Sequence, residues 1–194
     1  PFALPNGLQC LCGAALGYHN FWHILGCSLL LNKASCGKCT RHNMGRDGLI
    51  RLILALGGYA HKEPRRDPRN PNSGPDIFCQ LDDASYLLDI NITHTYSHSY
   101  IQQNTAFDPE DLLGQVSNHK HGLYDRQALQ AGTVLYTFCM NTHGGMHSEA
   151  ISFLKILACY AVEANPLRWT YNGALRYIVT DVTNNFHTAT SQAA

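Results

Sequence analysis

Two carboxylates on neighbouring predicted strands are the residues of this sequence best placed to hold a cation. Residues 75–81 and 85–93 are rich in aromatic and branched side chains and flank a turn, so they are predicted to form a β-hairpin. Asp76 in the first strand can lie across from Asp89 in the second, where directly opposed side chains are roughly 5 Å apart. Two carboxylates that close repel each other unless they share a proton or a divalent cation. The hairpin therefore predicts a site for a cation such as Mg²⁺ between them.

The alternation of side chains along the second strand decides which face carries Asp89. Successive residues of a strand point to opposite faces of the sheet. One face is predicted to be apolar and to carry Tyr86, Leu88, Ile90 and Ile92. The other face then carries Leu87, Asp89, Asn91 and Thr93.

A lysine on the following predicted helix is a partner for these acids. The apolar residues of this helix recur at helical spacing and predict one buried face, made of Leu112, Leu113, Val116 and Leu123. Lys120 lies four residues after Val116 and three before Leu123, which puts it on the inward face. A buried lysine is costly unless it is paired with acids. Asp76 and Asp89 are the expected partners.

The N-terminal segment is rich in residues that bind zinc, namely Cys10, Cys12, His19, His23, Cys27, Cys36 and Cys39. Zinc takes four sulfur or imidazole ligands in a tetrahedron, and close pairs of ligands provide them. One candidate set is Cys10, Cys12, His23 and Cys27, and the rival set joins Cys36 and Cys39 to Cys10 and Cys12. This clustering favours metal in a reducing compartment over disulfides.

Basic residues lie near the predicted acidic site. Arg41, Arg46 and Arg51 give one side of a predicted helix a positive charge, and Lys62, Arg65, Arg66 and Arg69 form a basic loop just before Asp76. Basic residues beside an acidic metal site suit a polyanionic substrate. A solvated surface is the alternative interpretation of both groups.

Composition indicates a globular α/β protein. Of 194 residues, 45% are hydrophobic and 14% charged, which excludes a disordered chain. The formal net charge of +0 is low for a protein that binds DNA by itself, so DNA binding would need local patches or neighbouring parts. No apolar run approaches the roughly 18 residues of a membrane span, so no membrane association is expected. The absence of an initiating Met suggests a piece of a longer polypeptide.

The predicted elements form three segments. Residues 1–40 are the zinc segment, residues 41–162 an α/β core in the order helix, three strands, helix and strand, and residues 163–194 a helical extension. Residues 133–140 are almost continuously apolar, which predicts a central strand. The last helix is predicted to follow Pro166, with Leu167, Tyr171, Ala174, Ile178 and Val182 on one face.

The order of these motifs resembles the PD-(D/E)xK nucleases. Pro75 and Asp76, twelve residues, Asp89 and Asn91, and then a lysine on the next helix follow that pattern. More narrowly, residues 10–155 are similar to the restriction-like endonuclease domain of site-specific non-long-terminal-repeat retrotransposon proteins. The resemblance implies a restriction-endonuclease-like core, with a mixed sheet flanked by helices in the order α-β-β-β-α-β, C-terminal helices, and an N-terminal zinc knuckle of the Cys-Cys-His-Cys type.

The same resemblance implies roles for further residues. Tyr124 matches a family tyrosine four residues after the lysine, and Glu63 matches a Glu-Pro at the end of the first core strand, where it is a candidate third metal ligand. The Arg41 and His42 pair matches a family Arg-His pair at the helix before that strand. These two residues, with Arg65, Arg66 and Arg69, are the expected DNA-binding residues.

The implied function is Mg²⁺-dependent nicking of double-stranded target DNA for retrotransposon insertion, in the nucleus, beside a reverse transcriptase on the same polypeptide. One residue departs from the general pattern: Asn91 stands where most PD-(D/E)xK enzymes carry their lysine, whereas the retrotransposon branch places it on the next helix, as Lys120. Two alternatives are a catalytically decayed endonuclease that only binds DNA and a zinc-stabilised interaction domain.

Overall fold

The described chain runs in the order helix, three strands, helix, strand and two helices. The computed structural model describes residues 37–62, 74–93 and 109–192. The elements are α1 (Gly37–Ala55), β1 (Tyr59–Lys62), β2 (Ile77–Leu81), β3 (Ala84–Thr93), α2 (Pro109–Gln130), β4 (Val134–Asn141), α3 (Ser148–Ala164) and α4 (Tyr171–Gln192). The predicted zinc ligands Cys10, Cys12, His23 and Cys27, and Cys36 of the rival set, lie outside the described residues.

The four described strands form one mixed sheet in the order β1-β2-β3-β4. β1 pairs with β2 and β2 with β3 in antiparallel fashion, whereas β3 and β4 are parallel. Parallel neighbours need a crossover connection, and α2 lies within this one. The predicted α/β class and the mixed sheet are confirmed.

One face of the sheet packs against α1, α3 and α4. Its side chains are fully buried, as in Ile77, Leu88, Ile90 and Phe138. The predicted alternation of β3 is confirmed, because Leu88 and Ile90 lie in this core with Tyr86 and Ile92 packed against it.

The other face is covered by α2, which contacts β3 and β4. Leu87 and Leu135 pack there against Tyr124 and Ala128, with Phe78 at the edge of the cluster. Asp89 belongs to this face because it alternates with Leu88 and Ile90. The crossover helix therefore lies directly over the strand that carries the acid.

The prediction that residues 133–140 form a central strand is wrong for the described sheet. β4 is the last strand in the order. Its residues are nonetheless buried from Leu135 to Met140, apart from the half-buried Tyr136, because α2 covers one face and α3 the other. The apolar run reflects two covered faces rather than two neighbouring strands.

Helix α1 begins at Gly37, so Arg41 and His42 lie inside the helix rather than before it. The expected division between residues 40 and 41 thus falls within a continuous helix. The helix ends at Ala55 and is followed by Gly57, whose φ of 96° lies in the left-handed region that favours glycine. None of the described helices is long and apolar enough to cross a membrane.

Helix α4 packs against α1 and α3. Its predicted inward residues Ala174, Ile178 and Val182 are buried, but Leu167 is fully exposed and precedes the helix. A Cβ at Gly45 of α1 would lie 2.5 Å from the ring of Phe186 on α4. Because glycine has no Cβ, the two helices can approach closely here. The C-terminal helix is therefore part of the main core.

Candidate active site

Asp76 occupies the entrance to β2 and is bonded into the hairpin. Asp76 directly precedes Ile77, whose partner in β3 is Leu88, so it lies just outside the paired register of the two strands. Its charge nevertheless acts on Asp89 and raises the pKa of that acid. The Asp76 amide donates to the Leu88 carbonyl at 2.9 Å, and the Ile90 amide donates to Asp76 Oδ2 at 2.8 Å. Backbone contacts on both sides hold this carboxylate beside β3.

Asp89 is buried in the middle of β3 with 2% of its surface exposed. Lys120 Nζ lies 3.0 Å from Oδ2 and 3.3 Å from Oδ1. The contact with Oδ1 has hydrogen-bond geometry, whereas the buried Oδ2 accepts no hydrogen bond. One oxygen of this carboxylate is therefore held by charge alone.

Helix α2 presents Lys120 to the acid, as predicted, but on a different stripe from the expected one. Leu123 is 50% exposed, so its assignment to the buried face is wrong. Leu112 and Leu113 are buried as predicted, and the buried stripe runs from Leu113 through Ser117, Lys120 and Tyr124 to Ala128 at spacings of three or four residues. Leu123 is one residue, or about 100° of helix, away from that stripe.

The aromatic ring of Tyr124 accompanies Lys120 into the site. The ammonium lies 5.5 Å from the centre of this ring, and Tyr124 is 4% exposed. A cation over an aromatic face is stabilised by the ring quadrupole. Two of the family-matched residues thus lie together beside Asp89.

Burial and charge shift the pKa values of the buried pair. Burial raises the pKa of Asp89 to about 6; the nearby Lys120 lowers it and the charge of Asp76 raises it. Burial opposes the charged form of Lys120, but the attraction of Asp89 outweighs it and raises the Lys120 pKa. Desolvation dominates at Asp89 because its side chain is 3% exposed, against 16% for Lys120. Lys120 is therefore an ammonium at neutral pH, suited to act as a cation rather than as a base.

His42 reaches the site from α1. Its Nε2 lies 3.0 Å from Asp76 Oδ2. Burial lowers the pKa of His42, but the hydrogen bond and the charge of Asp76 outweigh burial and raise it. The contact makes His42 a partner of Asp76, whereas the sequence suggested a DNA contact.

The other expected DNA-binding residues are distributed differently. Arg41 is 5% exposed, so it does not lie on an open helix face as predicted; it precedes the half-buried His42 in α1. Arg51 is the exposed arginine of that helix, and Arg46 pairs with Asp47 at 3.0 Å. The candidate ligand Glu63 and the basic residues Arg65, Arg66 and Arg69 lie outside the described residues.

The donor set suits a hard divalent cation. Asp76 and Asp89 supply carboxylate oxygens, and the buried Oδ2 of Asp89 accepts no hydrogen bond, although the Lys120 ammonium lies 3.0 Å from it. Within residues 37–62, 74–93 and 109–192, no group of three or more His, Cys, Asp or Glu side chains is arranged around a metal site. Mg²⁺ is commonly held by one or two carboxylates together with water and substrate phosphate. Two acids fit that pattern, and they do not fit an all-protein cage.

A second polar cluster beside this site was not predicted. Glu149, in the first turn of α3, contacts Ser117 and His121 of α2 and Thr137 of β4. A signal was present in the sequence, because Thr137 is a polar residue within an apolar strand and Ser117 falls on the stripe of Lys120. Neither residue by itself indicates a network, since isolated Ser and Thr are common in such positions.

Comparison with known proteins leaves the family open. No model of a known protein family matches the sequence, and no curated protein matches it.

Proposed function

We propose that this protein is a metal-dependent DNA endonuclease of the PD-(D/E)xK type. The convergence of Asp76, Asp89 and Lys120 on one place at the sheet supports this function. A pair of acids from a hairpin and an ammonium from the next helix is the donor set that hydrolysis of a phosphodiester requires.

Each residue of the set has a distinct role in this proposal. Asp76 and Asp89 would hold Mg²⁺, which when bound polarises the scissile phosphate and lowers the pKa of an attacking water. Lys120 stays protonated and neutralises negative charge that develops on the phosphate. Tyr124 keeps the ammonium in place through its ring, and His42 orients the Asp76 carboxylate.

Buried charge explains why the site would be built this way. Two acids and one ammonium leave one excess negative charge when all are ionised and His42 is neutral, and burial opposes that state, as the raised pKa of Asp89 indicates. A bound divalent cation removes the excess. With the cation bound, the phosphate of a substrate would be attracted to the site. Without it, the negative charge of the two acids would repel the phosphate.

The wider role follows from the resemblance alone. The protein would nick double-stranded target DNA in the nucleus for insertion of a retroelement, next to a reverse transcriptase in the same polypeptide. Zn²⁺ bound by Cys10, Cys12, His23 and Cys27 would stabilise the N-terminal segment, and Glu63, Arg65, Arg66 and Arg69 would extend the site toward DNA.

Nicking of a supercoiled plasmid tests the proposal. We expect conversion to the open-circular form with Mg²⁺ and none with chelator. Asp76→Ala and Lys120→Ala should abolish or strongly reduce the conversion. A wild-type protein that leaves the plasmid intact with Mg²⁺ and with Mn²⁺ contradicts the proposal.

A second candidate is a decayed endonuclease that binds DNA without cutting it. Asn91 favours it, because this strand residue carries no charge and accepts a hydrogen bond from the Thr93 hydroxyl at 2.7 Å. In that case the plasmid stays intact while a DNA fragment still shifts in a gel. Neither cleavage nor a shift would point to an interaction domain.

A further inference from the structure

The Glu149 carboxylate is the centre of a network that joins two helices and a strand. It accepts from the Thr137 amide at 3.1 Å and lies 2.6 Å from the Thr137 hydroxyl. The Ser117 hydroxyl lies 2.9 Å from Glu149 and 2.6 Å from the Thr137 hydroxyl. Ser117 and Thr137 are 2% and 0% exposed. The Glu149 side chain is 19% exposed, and a partly buried carboxylate that accepts several hydrogen bonds is held strongly and in one direction.

His121 extends the network to the surface of α2. Its Nδ1 lies 2.7 Å from Asp125 Oδ1, and its Nε2 lies 2.9 Å from Glu149 Oε1. Ionised carboxylates only accept hydrogen bonds, so both contacts are satisfied when both ring nitrogens carry protons. The other groups close to Glu149 are His147, 4.0 Å away before α3, and the buried thiol of Cys139 on β4.

The network lies beside the candidate active site in sequence and in space. Thr137 pairs with Asp89 in the parallel ladder between β3 and β4. Ser117 and His121 flank Lys120 on α2, three residues before it and one residue after it. Glu149 therefore holds α2 against β4 at the point where Lys120 of the helix contacts Asp89 of β3.

We propose that Glu149 and His121 are positioning residues that set α2 so that the Lys120 ammonium reaches Asp89. Their described hydrogen bonds and ion pairs are with Ser117, Asp125, Thr137 and His147 rather than with Asp76 or Asp89, so they act through the helix. The effect on cleavage rests on the proposed endonuclease function, whereas the effect on the Lys120 contact does not. A fixed helix matters here because catalytic groups must be held within about 0.5 Å of their productive geometry.

The ammonium of Lys120 gives a direct readout in the full 194-residue chain. A half-buried ammonium in an ion pair exchanges its protons slowly, so NMR should resolve a ¹H–¹⁵N signal from Lys120 in the wild type. Glu149→Gln and His121→Gln should broaden or remove that signal. If the wild type nicks DNA, both variants should lower kcat at least about tenfold, with KM for DNA within about twofold.

Matched controls separate positioning from loss of stability. His119→Gln changes an exposed histidine two residues earlier on α2, and Glu163→Gln an exposed glutamate at the far end of α3; both should keep the signal. Val182→Ala removes core packing in α4 and should lower the melting temperature while the folded protein keeps the signal. An unchanged Lys120 signal in Glu149→Gln and His121→Gln, or equal loss in Val182→Ala, overturns the inference. An inactive wild type that shows the expected NMR changes refutes the endonuclease function and retains the positioning role.

Discussion

The ammonium of Lys120 lies 3.0 Å from Asp89 Oδ2, although 31 residues separate the two in the chain. The parallel pairing of β3 and β4 brings them together, because the crossover helix α2 must pass over the sheet. The ion pair therefore depends on the path of the crossover helix over the sheet. Lys120 and Asp89 can each be tested by substitution.

Replacement of Lys120 by Met should reduce cleavage and change the state of Asp89. Removing a preorganised cation from a phosphate site costs about a hundredfold or more in kcat. Asp89 also loses the charge that lowers its pKa, so its pKa should rise further above about 6, measured by NMR titration of the carboxyl carbon. Lys155→Met, which changes an exposed lysine on α3, is the control and should alter neither quantity.

Loss of either acid should eliminate cleavage. Asp76→Asn and Asp89→Asn keep the shape of the side chain and remove the charge that would hold the cation, so plasmid nicking should fall below detection. Asp82→Asn is a matched control in the same hairpin: Asp82 lies in the turn with a φ of 50°, which Asn tolerates. Full activity in Asp89→Asn would mean that this carboxylate holds no catalytic ion.

The stability of the metal-free protein should depend on pH through Asp89. Its folded pKa of about 6 lies above the ordinary value of 3.8, so the folded chain binds more protons than the unfolded chain between these values. The contribution of this group to the free energy of unfolding should therefore fall as pH rises from about 4 to about 6. Comparison of denaturation midpoints of wild type and Asp89→Asn across this range checks the sign.

Mg²⁺ should reverse that dependence. A cation binds the ionised acid, so the gain in melting temperature on adding Mg²⁺ should be larger at about pH 7.5 than at about pH 5. Asp89→Asn should show little gain at either pH. An equal gain in wild type and variant would indicate that Mg²⁺ binds elsewhere.

His121 should stabilise the folded protein at acidic pH and lose this effect as pH rises. A carboxylate with a lowered pKa behaves in the opposite way. Burial lowers the pKa of His121, but the hydrogen bonds that the ring donates to Asp125 and Glu149 outweigh burial and raise the pKa above 6.5. The stabilisation is thus present in full below about pH 6.5 and is lost as pH rises through the folded pKa. The difference in denaturation midpoint between wild type and His121→Gln should shrink at alkaline pH, whereas His119→Gln should match wild type throughout.

The predicted zinc knuckle can be tested by metal analysis of the purified protein. One equivalent of zinc is expected, and loss of zinc in Cys27→Ser but not in Cys39→Ser would favour the set with His23 and Cys27. The converse pattern favours the set with Cys36 and Cys39. Less than about half an equivalent of zinc in the wild type would contradict the knuckle.

The hairpin and its acids were predictable because strands alternate with a strict period of two. Once Leu88 and Ile90 are assigned to the core, Asp89 must point to the opposite face. The hydrogen bond from the Ile90 amide places the Asp76 carboxylate beside the same strand. The inward direction of Lys120 was predicted from helical periodicity on α2, although Leu123, one of the two residues used to place it, is exposed.

Other features could not be predicted because they depend on which element covers which face. The apolar run of β4 indicated burial on two faces, but not that helices rather than strands provide it. Leu123 was assigned to the core because leucine is apolar, whereas the true stripe runs through Ser117. The contacts of Glu149 and His42 join residues from distant parts of the chain, and no local pattern specifies them.

Asn91 accepts a hydrogen bond from its neighbour Thr93, while the positive charge arrives from α2. In the proposed endonuclease, β3 therefore does not need to supply a base or an ammonium. Asn91 can then be replaced by other residues. In the proposed endonuclease the hairpin therefore carries the two acids, and the ammonium comes from the helix. A signature that demands all three groups within a single hairpin would overlook such proteins.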